Sequence, residues 1–317
     1  MLDPKLIRNE LGVVAKRLKI KNFELNVEQL KEWEGARKDL QLDTEKLQNE
    51  RNSKSKLIGE AKSQGKDVSA ILTDMEDLKS SLDKKKNELG EIQSKLHEYL
   101  LNVPNIPDKE VPPGKDESDN QVINTWGSLP KYNFDVKDHS ELGEKLEQGL
   151  DFAAAVTLSG SRFVVLEGRL AKLHRALSQF MLDVHTEEHG YLEFNLPLIV
   201  NHESLLGTGQ LPKFEDDLFK VNHEGNFYLI PTAEVPLTNL VRGKILEADA
   251  LPLKYTAHTP CFRSEAGSYG KDTKGMIRQH QFEKVELVQV VKPESSDDAL
   301  NELTGHAESI LRKLGLP

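Results

Sequence analysis

The chain has 317 residues, 37% of them hydrophobic, so it is long enough to bury a sizeable core and to hold two domains. Its formal net charge of −10 argues against non-specific nucleic-acid binding by the whole surface, so any RNA contact must be local and DNA is not an expected partner. No apolar run approaches the ~20 residues of a membrane helix, and the single cysteine, Cys261, excludes an internal disulfide. We expect a cytoplasmic protein without a membrane partner.

After an amphipathic opening, the segment from about residue 27 to residue 99 is rich in charge and poor in aromatic residues. In its second half, side chains recur at alternating spacings of three and four, and all but one are apolar or aromatic, which indicates a heptad seam. The seam positions are Val68, Ile71, Met75, Leu78, Leu82, Lys85, Leu89, Ile92, Leu96 and Tyr99. The first half fits the same register with four polar interruptions, Arg37, Thr44, Arg51 and Lys54. A break at Gly65 separates the halves, so we predict an antiparallel hairpin of two helices, roughly 45 Å long.

The tip of this hairpin carries the clearest basic patch of the chain. From residue 51 to residue 66 there are five basic residues and one acidic residue, Glu60. The candidates for RNA contact are Arg51, Lys54, Lys56 and Lys62. From these residues alone, the favoured alternative is an oligomerising coiled coil whose tip charges are solvated.

Four prolines in the segment 102–114 end the second long helix and mark a domain boundary. We therefore divide the chain into an N-terminal domain, residues 1–112, and a second domain, residues 113–317.

The second domain opens with predicted helices and one strand. His139 is placed at a helix start that Ser140 can cap, and a long amphipathic helix is predicted from Arg169 to Glu188, ended by Gly190. The next segment, 191–200, has strand composition with a proline inside, which suits an edge strand or a bulge.

The stretch that carries most of the chemistry runs from Tyr255 to Val291, where two segments of strand character flank a loop rich in Gly, Lys, Asp and Ser. It predicts a long antiparallel hairpin. By strand alternation, Arg278, Phe282 and Glu286 share a working face. The opposite, core face is assigned Ile277, Val285, Leu287 and Val291.

Arg263 and Glu265 on the incoming strand complete the working face. Guanidinium groups suit phosphate or carboxylate oxygens, a phenyl ring suits a purine, and a carboxylate suits an amino group. The alternative is a solvated, salt-bridged sheet face. Cys261, in the same strand, is interpreted as a buried structural thiol rather than a nucleophile.

These residues resemble a known family. The sequence Phe262-Arg263-Ser264-Glu265, followed by a loop and by Arg278 with Phe282 four residues later, resembles motif 2 of the class II aminoacyl-tRNA synthetases. Three further sequences are similar to the seryl-tRNA synthetase family: GSRF at 160–163, GTGQLPKF at 207–214 and TAE at 232–234. The helix and strand within 169–200 resemble motif 1, which builds the dimer interface. The likeness spans nearly the whole chain.

The resemblance implies an α+β fold, in which an N-terminal antiparallel helical hairpin, the coiled-coil arm, precedes a class II antiparallel sheet flanked by helices. It implies a homodimeric serine–tRNA ligase that forms seryl-adenylate from L-serine and ATP and then charges tRNA(Ser) and tRNA(Sec), with Mg²⁺ bridging the phosphates. In this family the arm holds the long variable arm of the tRNA, which reverses the preference for a solvated tip.

The resemblance also implies residue roles, with Arg263 as the catalytic residue that holds the α-phosphate. Serine binding is assigned to Thr232, Ala233, Glu234, Arg263 and Glu286. ATP binding is assigned to Arg263, Ser264, Glu265, Arg278 and Phe282. The tRNA contacts are assigned to Arg51, Lys54, Lys56 and Lys62. No metal ligand is assigned within this chain, since the spacings of His174, His185 and His189 do not define a zinc site.

A third class II motif, a glycine-rich strand and helix with an arginine for ATP, is not found before Pro317. We therefore expect the sequence to be the N-terminal portion of a longer protein, with an incomplete sheet and with some serine, ATP and metal ligands elsewhere. The alternative function is a non-catalytic RNA-binding or dimerisation module derived from this fold.

Overall fold

The structure is a computed structural model that describes residues 2–266 and 274–317. It divides into two compact units, Met1–Val122 and Ile123–Pro317. Most of the loop predicted from Ala266 to Gly275 lies outside the described residues. Within the described ranges, no helix combines the length and the apolar character needed to cross a membrane.

The first unit is built from helices. Helix α1 spans Pro4–Leu18, α2 spans Val27–Ser63 and α3 spans Ser69–Leu101. Side chains cap the starts of α1 and α2. The Asp3 carboxylate accepts the Lys5 N–H at 2.8 Å, and the Asn26 side chain accepts the Gln29 N–H at 3.1 Å. Apolar side chains from α1 and from the ends of α2 and α3 that adjoin it form one buried cluster. Its members include Ile7, Val14, Leu18, Leu30, Leu96 and Leu100.

Helices α2 and α3 form the predicted antiparallel hairpin. Every seam position of α3 is buried or half-buried, and so are the polar interruptions in α2. Arg37 Nε pairs with Glu34 at 2.8 Å, and the Thr44 hydroxyl donates to the Leu40 carbonyl at 2.7 Å, so polar atoms on the seam find partners. The chain reverses at Gly65, whose φ of 67° suits glycine. Helices of 37 and 33 residues make the arm about 50 Å long, slightly longer than predicted.

The second unit arranges short helices and strands around one long hairpin. Its helices are α4 (His139–Lys145), α5 (Phe152–Leu158), α6 (Gly168–Glu187), α7 (His202–Gly207), α8 (Glu234–Asn239) and α9 (Ser296–Lys313). Its short strands are β1 (Leu150–Asp151), β2 (Val165–Leu166), β3 (Leu192–Glu193), β4 (Ile199–Asn201), β5 (Lys220–Val221) and β6 (Phe227–Leu229). The long strands are β7 (Leu253–Phe262) and β8 (Gln281–Val290). Pairing is antiparallel except between β3 and β7, which run parallel.

Two local predictions in this unit need correction. Helix α4 begins at His139, but its cap is Asp138, whose carboxylate accepts the Glu141 N–H at 3.0 Å. The Ser140 hydroxyl donates to that same carboxylate at 2.7 Å, because an ionised Asp is the stronger acceptor. The segment 191–200 forms two short strands instead of one, with the proline in the gap between them.

The predicted long hairpin is present, paired from Leu253 opposite Val290 to Phe262 opposite Gln281. Its division into a working face and a core face is partly wrong. Ile277 lies in the turn before β8 and is 59% exposed, so strand alternation does not apply to it. Ala257 pairs with Glu286 and therefore shares the working face, yet it is fully buried.

The reason for this burial is helix α8, which packs on the working face. Ala257 forms a buried cluster with Ala233, the residue before α8, and with Leu237 of that helix. The working face is therefore core at one end and open at the other. Val285 and Leu287, which were assigned to the core face, are only half-buried.

Candidate active site

At the open end of the hairpin, two arginines meet an aromatic ring and a carboxylate. The guanidinium carbon of Arg263 lies 5.2 Å from the centroid of the Phe282 ring, within cation–π range. Arg278 Nη1 donates to Glu265 Oε2 at 3.0 Å. These four side chains line a cavity of about 380 Å³, which we call the arginine platform. Four of the five residues predicted for the working face thus come together, although Arg278 reaches the cavity from the turn before β8, and Glu286 lies in a separate group.

A second polar group lies farther along the working face. It consists of Thr232, Glu234, Lys284 and Glu286, and we call it the carboxylate cluster. The Thr232 hydroxyl lies 2.5 Å from Glu286 Oε2, to which it donates, and it accepts the Glu234 N–H at 3.2 Å. Lys284 Nζ lies 2.5 Å from the same Glu286 oxygen and 2.9 Å from the Thr232 hydroxyl. Ala233, which was assigned to serine binding, is fully buried and belongs to an apolar cluster, so this structure does not expose it to a ligand.

The pKa of the Glu234 carboxyl depends on the charged groups around it. Glu234 is exposed, but partial desolvation by its neighbours raises the pKa of its carboxyl, and the nearby Glu286 carboxylate raises this pKa further. Lys284 and Arg263 act in the opposite direction and lower the pKa. A cationic ligand beside Glu234 would therefore favour the charged form that desolvation disfavours.

Arg263 connects the two groups. Its Nε donates to the carbonyl of Pro231, the residue before Thr232, at 3.2 Å, while its guanidinium lies over Phe282. A ligand that spans the arginine platform and the carboxylate cluster must pass this guanidinium.

Lys284 is a site residue that the sequence analysis missed. It alternates with Phe282 and Glu286 on β8, so the rule that selected those two residues also selects it. The sequence could not show that a hydroxyl and a carboxylate from different elements converge on its ammonium group.

Cys261 is a fully buried free thiol, as predicted. Burial raises the pKa of this thiol, and its Sγ lies 3.6 Å from the Thr259 hydroxyl. A thiol with a raised pKa is a poor nucleophile at neutral pH, which supports the interpretation as a structural residue.

The three histidines considered for metal binding have other partners. His174 Nε2 lies 2.8 Å from Glu283 Oε2, on the opposite face of β8 from the site. His185 Nδ1 lies 3.0 Å from His189 Nδ1. Within residues 2–266 and 274–317, no three His, Cys, Asp or Glu side chains are arranged to hold a metal ion.

The four basic residues at the arm tip differ in exposure. Lys56 and Lys62 are exposed, whereas Arg51 and Lys54 are half-buried on the seam. Lys54 Nζ lies 3.1 Å from Glu50 and 3.4 Å from Asp74 of α3, so it links the two helices. Lys56 and Lys62 are therefore better placed than Lys54 to meet a phosphate backbone.

Comparisons with known proteins agree with this architecture. Residues 1–107 match the family model of the seryl-tRNA synthetase N-terminal domain, and residues 218–317 match that of the tRNA synthetase class II core domain (G, H, P, S and T). The crystal structure of seryl-tRNA synthetase from Pyrococcus horikoshii complexed with ATP is similar, with a TM-score of 0.86 and 33% sequence identity over 99% of this chain and 75% of that chain.

A second solved structure, cytoplasmic serine–tRNA ligase from Naegleria fowleri in complex with AMP, shares the fold. Its TM-score is 0.83 at 22% identity, over 99% of this chain and 76% of that chain. The predicted fold class, a helical arm followed by a class II sheet with helices, is confirmed.

Proposed function

The chain belongs to the seryl-tRNA synthetase family, and on this premise we propose that it activates L-serine with ATP and transfers the seryl group to tRNA(Ser) and tRNA(Sec). As a class II synthetase it is an ATP-dependent aminoacyl-tRNA ligase. The observation that supports serine activation is the arrangement along the working face of the hairpin, where the arginine platform adjoins the carboxylate cluster and Arg263 of the platform bonds to Pro231 beside Thr232.

In the proposed first step, a serine carboxylate oxygen attacks the α-phosphorus of ATP in line. The bond from that phosphorus to the bridging oxygen breaks, and pyrophosphate leaves with the electron pair. The step needs alignment and charge neutralisation more than a protein nucleophile, which fits a buried Cys261. Arg263 would neutralise charge on the α-phosphate and hold the serine carboxylate, because its guanidinium lies where the nucleotide site meets the serine site.

The arginine platform would bind the nucleotide. Phe282 offers a ring face to adenine, Glu265 with the adjoining Ser264 would bind on the adenine side, and Arg278 would meet the terminal phosphates. Mg²⁺ would be held by the phosphates of ATP. Glu265, the carboxylate of the platform, is already paired with Arg278, so the described residues do not supply a metal site of their own and we assign the ion no protein ligand here.

The carboxylate cluster would bind serine. The Glu234 carboxylate would pair with the serine ammonium group, and the serine hydroxyl would join the Thr232–Glu286 hydrogen bond. A substrate side chain without a hydroxyl could not join this hydrogen bond, and a site built to bond a hydroxyl strongly rejects analogues that lack it.

The two parts of the chain would divide the work. We propose that residues 1–112 bind tRNA through the arm of residues 27–99, with the basic tip contacting phosphates, and that residues 113–317 contribute to catalysis. The protein would act in the cytoplasm as a homodimer, with α6 and the strands that follow it at the interface.

Serine-dependent exchange of pyrophosphate into ATP tests the proposal. In the complete enzyme we expect exchange with serine and little with threonine, alanine or cysteine. Glu286→Gln should reduce exchange, while the matched variant Glu283→Gln, on the opposite face of β8, should retain most of it. Binding of tRNA without any serine-dependent exchange would favour the non-catalytic RNA-binding alternative.

A further inference from the structure

Glu265 of the arginine platform and the adjacent Arg162 have a backbone conformation that residues other than glycine rarely adopt. Arg162 has a φ of 61° and Glu265 has a φ of 51°. Such residues persist only where their surroundings hold them, and they concentrate at functional sites. Arg162 and Glu265 are far apart in the sequence but in contact in the structure, since Arg162 Nη1 donates to the Glu265 carbonyl at 3.2 Å.

Arg162 is itself fixed to the hairpin through its backbone. Its carbonyl accepts the His280 N–H at 2.9 Å. His280 in turn bonds across the hairpin to Arg263, since its carbonyl accepts the Arg263 N–H at 2.9 Å and its Nδ1 donates to the Arg263 carbonyl at 3.0 Å. Arg162 therefore contacts both sides of the open end of the hairpin.

Asp217 holds the residues on either side of Glu265. The Ser264 N–H donates to the Asp217 carbonyl at 2.9 Å, and the Ala266 N–H donates to Asp217 Oδ1 at 3.0 Å. The Ser264 hydroxyl also donates to the Asp216 carbonyl at 2.5 Å. With Arg162 on Glu265 and Asp217 on its two neighbours, all three residues of the turn 264–266 are held.

This turn decides where the Glu265 side chain points. In the left-handed conformation, its carboxylate accepts from Arg278 Nη1 at 3.0 Å, which gives the arginine platform its ion pair. A return of Glu265 to an ordinary backbone conformation would redirect the side chain and leave Arg278 without this partner.

We propose that Arg162 and Asp217 are positioning residues for ATP, which act by holding Glu265 in the conformation that presents its carboxylate to Arg278 and to the nucleotide. The inference rests on the proposed function of Glu265 and Arg278 as ATP ligands. It predicts an effect confined to the nucleotide, because the described contacts of the carboxylate cluster involve neither Arg162 nor Asp217.

The test compares ATP binding and serine binding in paired variants of the complete enzyme. Arg162→Asn removes the guanidinium but keeps a residue that tolerates a positive φ, and Asp217→Ala removes the carboxylate. Asp216→Ala is the matched control, since Asp216 contacts Ser264 through a carbonyl that alanine retains. Arg162→Lys keeps a hydrogen-bond donor and Asp217→Asn keeps an acceptor. These conservative variants replace the first pair in the test if that pair does not fold.

Two readouts separate positioning from general damage. Calorimetric titration with ATP alone measures nucleotide affinity without catalysis, and pyrophosphate exchange gives the KM for ATP and the KM for serine. We expect Arg162→Asn and Asp217→Ala to weaken ATP binding about tenfold, the effect of losing a hydrogen bond near charged groups, with an unchanged KM for serine. The double variant should lose less than the product of the two effects, because both act on one turn. The conservative variants should recover part of the affinity.

Three results would overturn the inference. The first is an unchanged ATP affinity in both Arg162→Asn and Asp217→Ala. The second is an equal rise in the KM for ATP and the KM for serine. The third is the same loss of ATP affinity in Asp216→Ala. If instead the wild-type enzyme neither bound ATP nor showed serine-dependent exchange, the proposed function itself would fail, and that outcome is distinct because it does not involve the variants.

Discussion

Acidification should destabilise the second unit through a buried histidine at the end of α6. His185 is only 3% exposed, and its Nδ1 lies 3.0 Å from His189 Nδ1. The His189 ring stacks on His306 of α9, with centroids 4.0 Å apart. Burial, and then the neighbouring His189 and His306, lower the pKa of His185 from 6.5 to about 4. Burial lowers the pKa of His189 and of His306 as well.

The sign of the effect follows from proton linkage. Because the pKa of His185 is lower in the folded protein than in the unfolded chain, the unfolded chain binds more protons between pH 4 and pH 6.5. The stabilisation is fully present above pH 6.5 and is lost as the pH falls toward 4. For His185 alone, the loss is about 2 kcal/mol at pH 5 and about 3 kcal/mol below pH 4. This is a large share of the ~5–15 kcal/mol that stabilises a typical domain.

Charged side chains around His185, His189 and His306 have opposing effects on the pKa of His189. Glu188 and Glu302 raise the pKa of His189, whereas Lys254 and Lys313 lower it. Tyr191 accepts from the Gln289 amide at 2.8 Å, which leaves its hydroxyl to donate to His306 Nδ1 at 3.1 Å. That arrangement requires a His306 whose Nδ1 carries no proton, so it too favours the neutral state.

Urea unfolding between pH 7.5 and pH 5 measures the effect. Trp126 reports on α9, because the Arg312 guanidinium carbon lies 5.8 Å from its ring, and Trp33→Phe removes the other tryptophan of the sequence. In this background we expect the free energy of unfolding to fall by about 2 kcal/mol or more at pH 5. His185→Gln should reduce that fall, and His223→Gln, at an exposed position, should not. Equal pH dependence in His185→Gln and the parent would refute the reasoning.

Three further predictions concern catalysis and tRNA. Arg263→Ala should lower adenylate formation by about 10²–10³ while circular dichroism stays unchanged, and near-normal pyrophosphate exchange would contradict its role. Lys284→Met should raise the KM for serine more than the KM for ATP, because Glu286 loses the ammonium group 2.5 Å away, and equal rises would contradict this. Replacing Lys56 and Lys62 with Gln should weaken tRNA charging and flatten its salt dependence while sparing pyrophosphate exchange, and a fall in exchange would indicate a folding defect.

The helical arm could be predicted almost completely because its information is local. A seam with spacings of three and four fixes which side chains face the partner helix, whatever else the chain does. The structure buries or half-buries the whole seam of α3, and it even places Arg37 and Thr44 on the seam where the register puts them. Their polar atoms find partners one helical turn away, which the sequence allows but does not reveal.

The site was predicted less completely because its geometry depends on elements that are distant in sequence. Strand alternation correctly brought Phe282 and Glu286 to one face, but it was extended past the start of β8 to Ile277, where it has no validity. It also could not show that α8 would cover one end of that face and bury Ala257. The left-handed backbone of Arg162 has no local signal, since neither glycine nor asparagine marks the position.

The two ends of the working face are stabilised in different ways, which bears on how the site would respond to mutation. Ala257 and Leu237 anchor the end that carries Glu286 in a fully buried cluster, so the carboxylate cluster stands on packed core. The arginine platform stands on a turn whose conformation depends on hydrogen bonds from Arg162 and Asp217. Substitutions in the core should therefore disturb serine binding together with stability, whereas substitutions around the turn should disturb nucleotide binding while the protein stays folded. Arg263, which bonds to the carbonyl of Pro231 and lies over Phe282, contacts both ends, so its own substitution should disturb serine and nucleotide binding together.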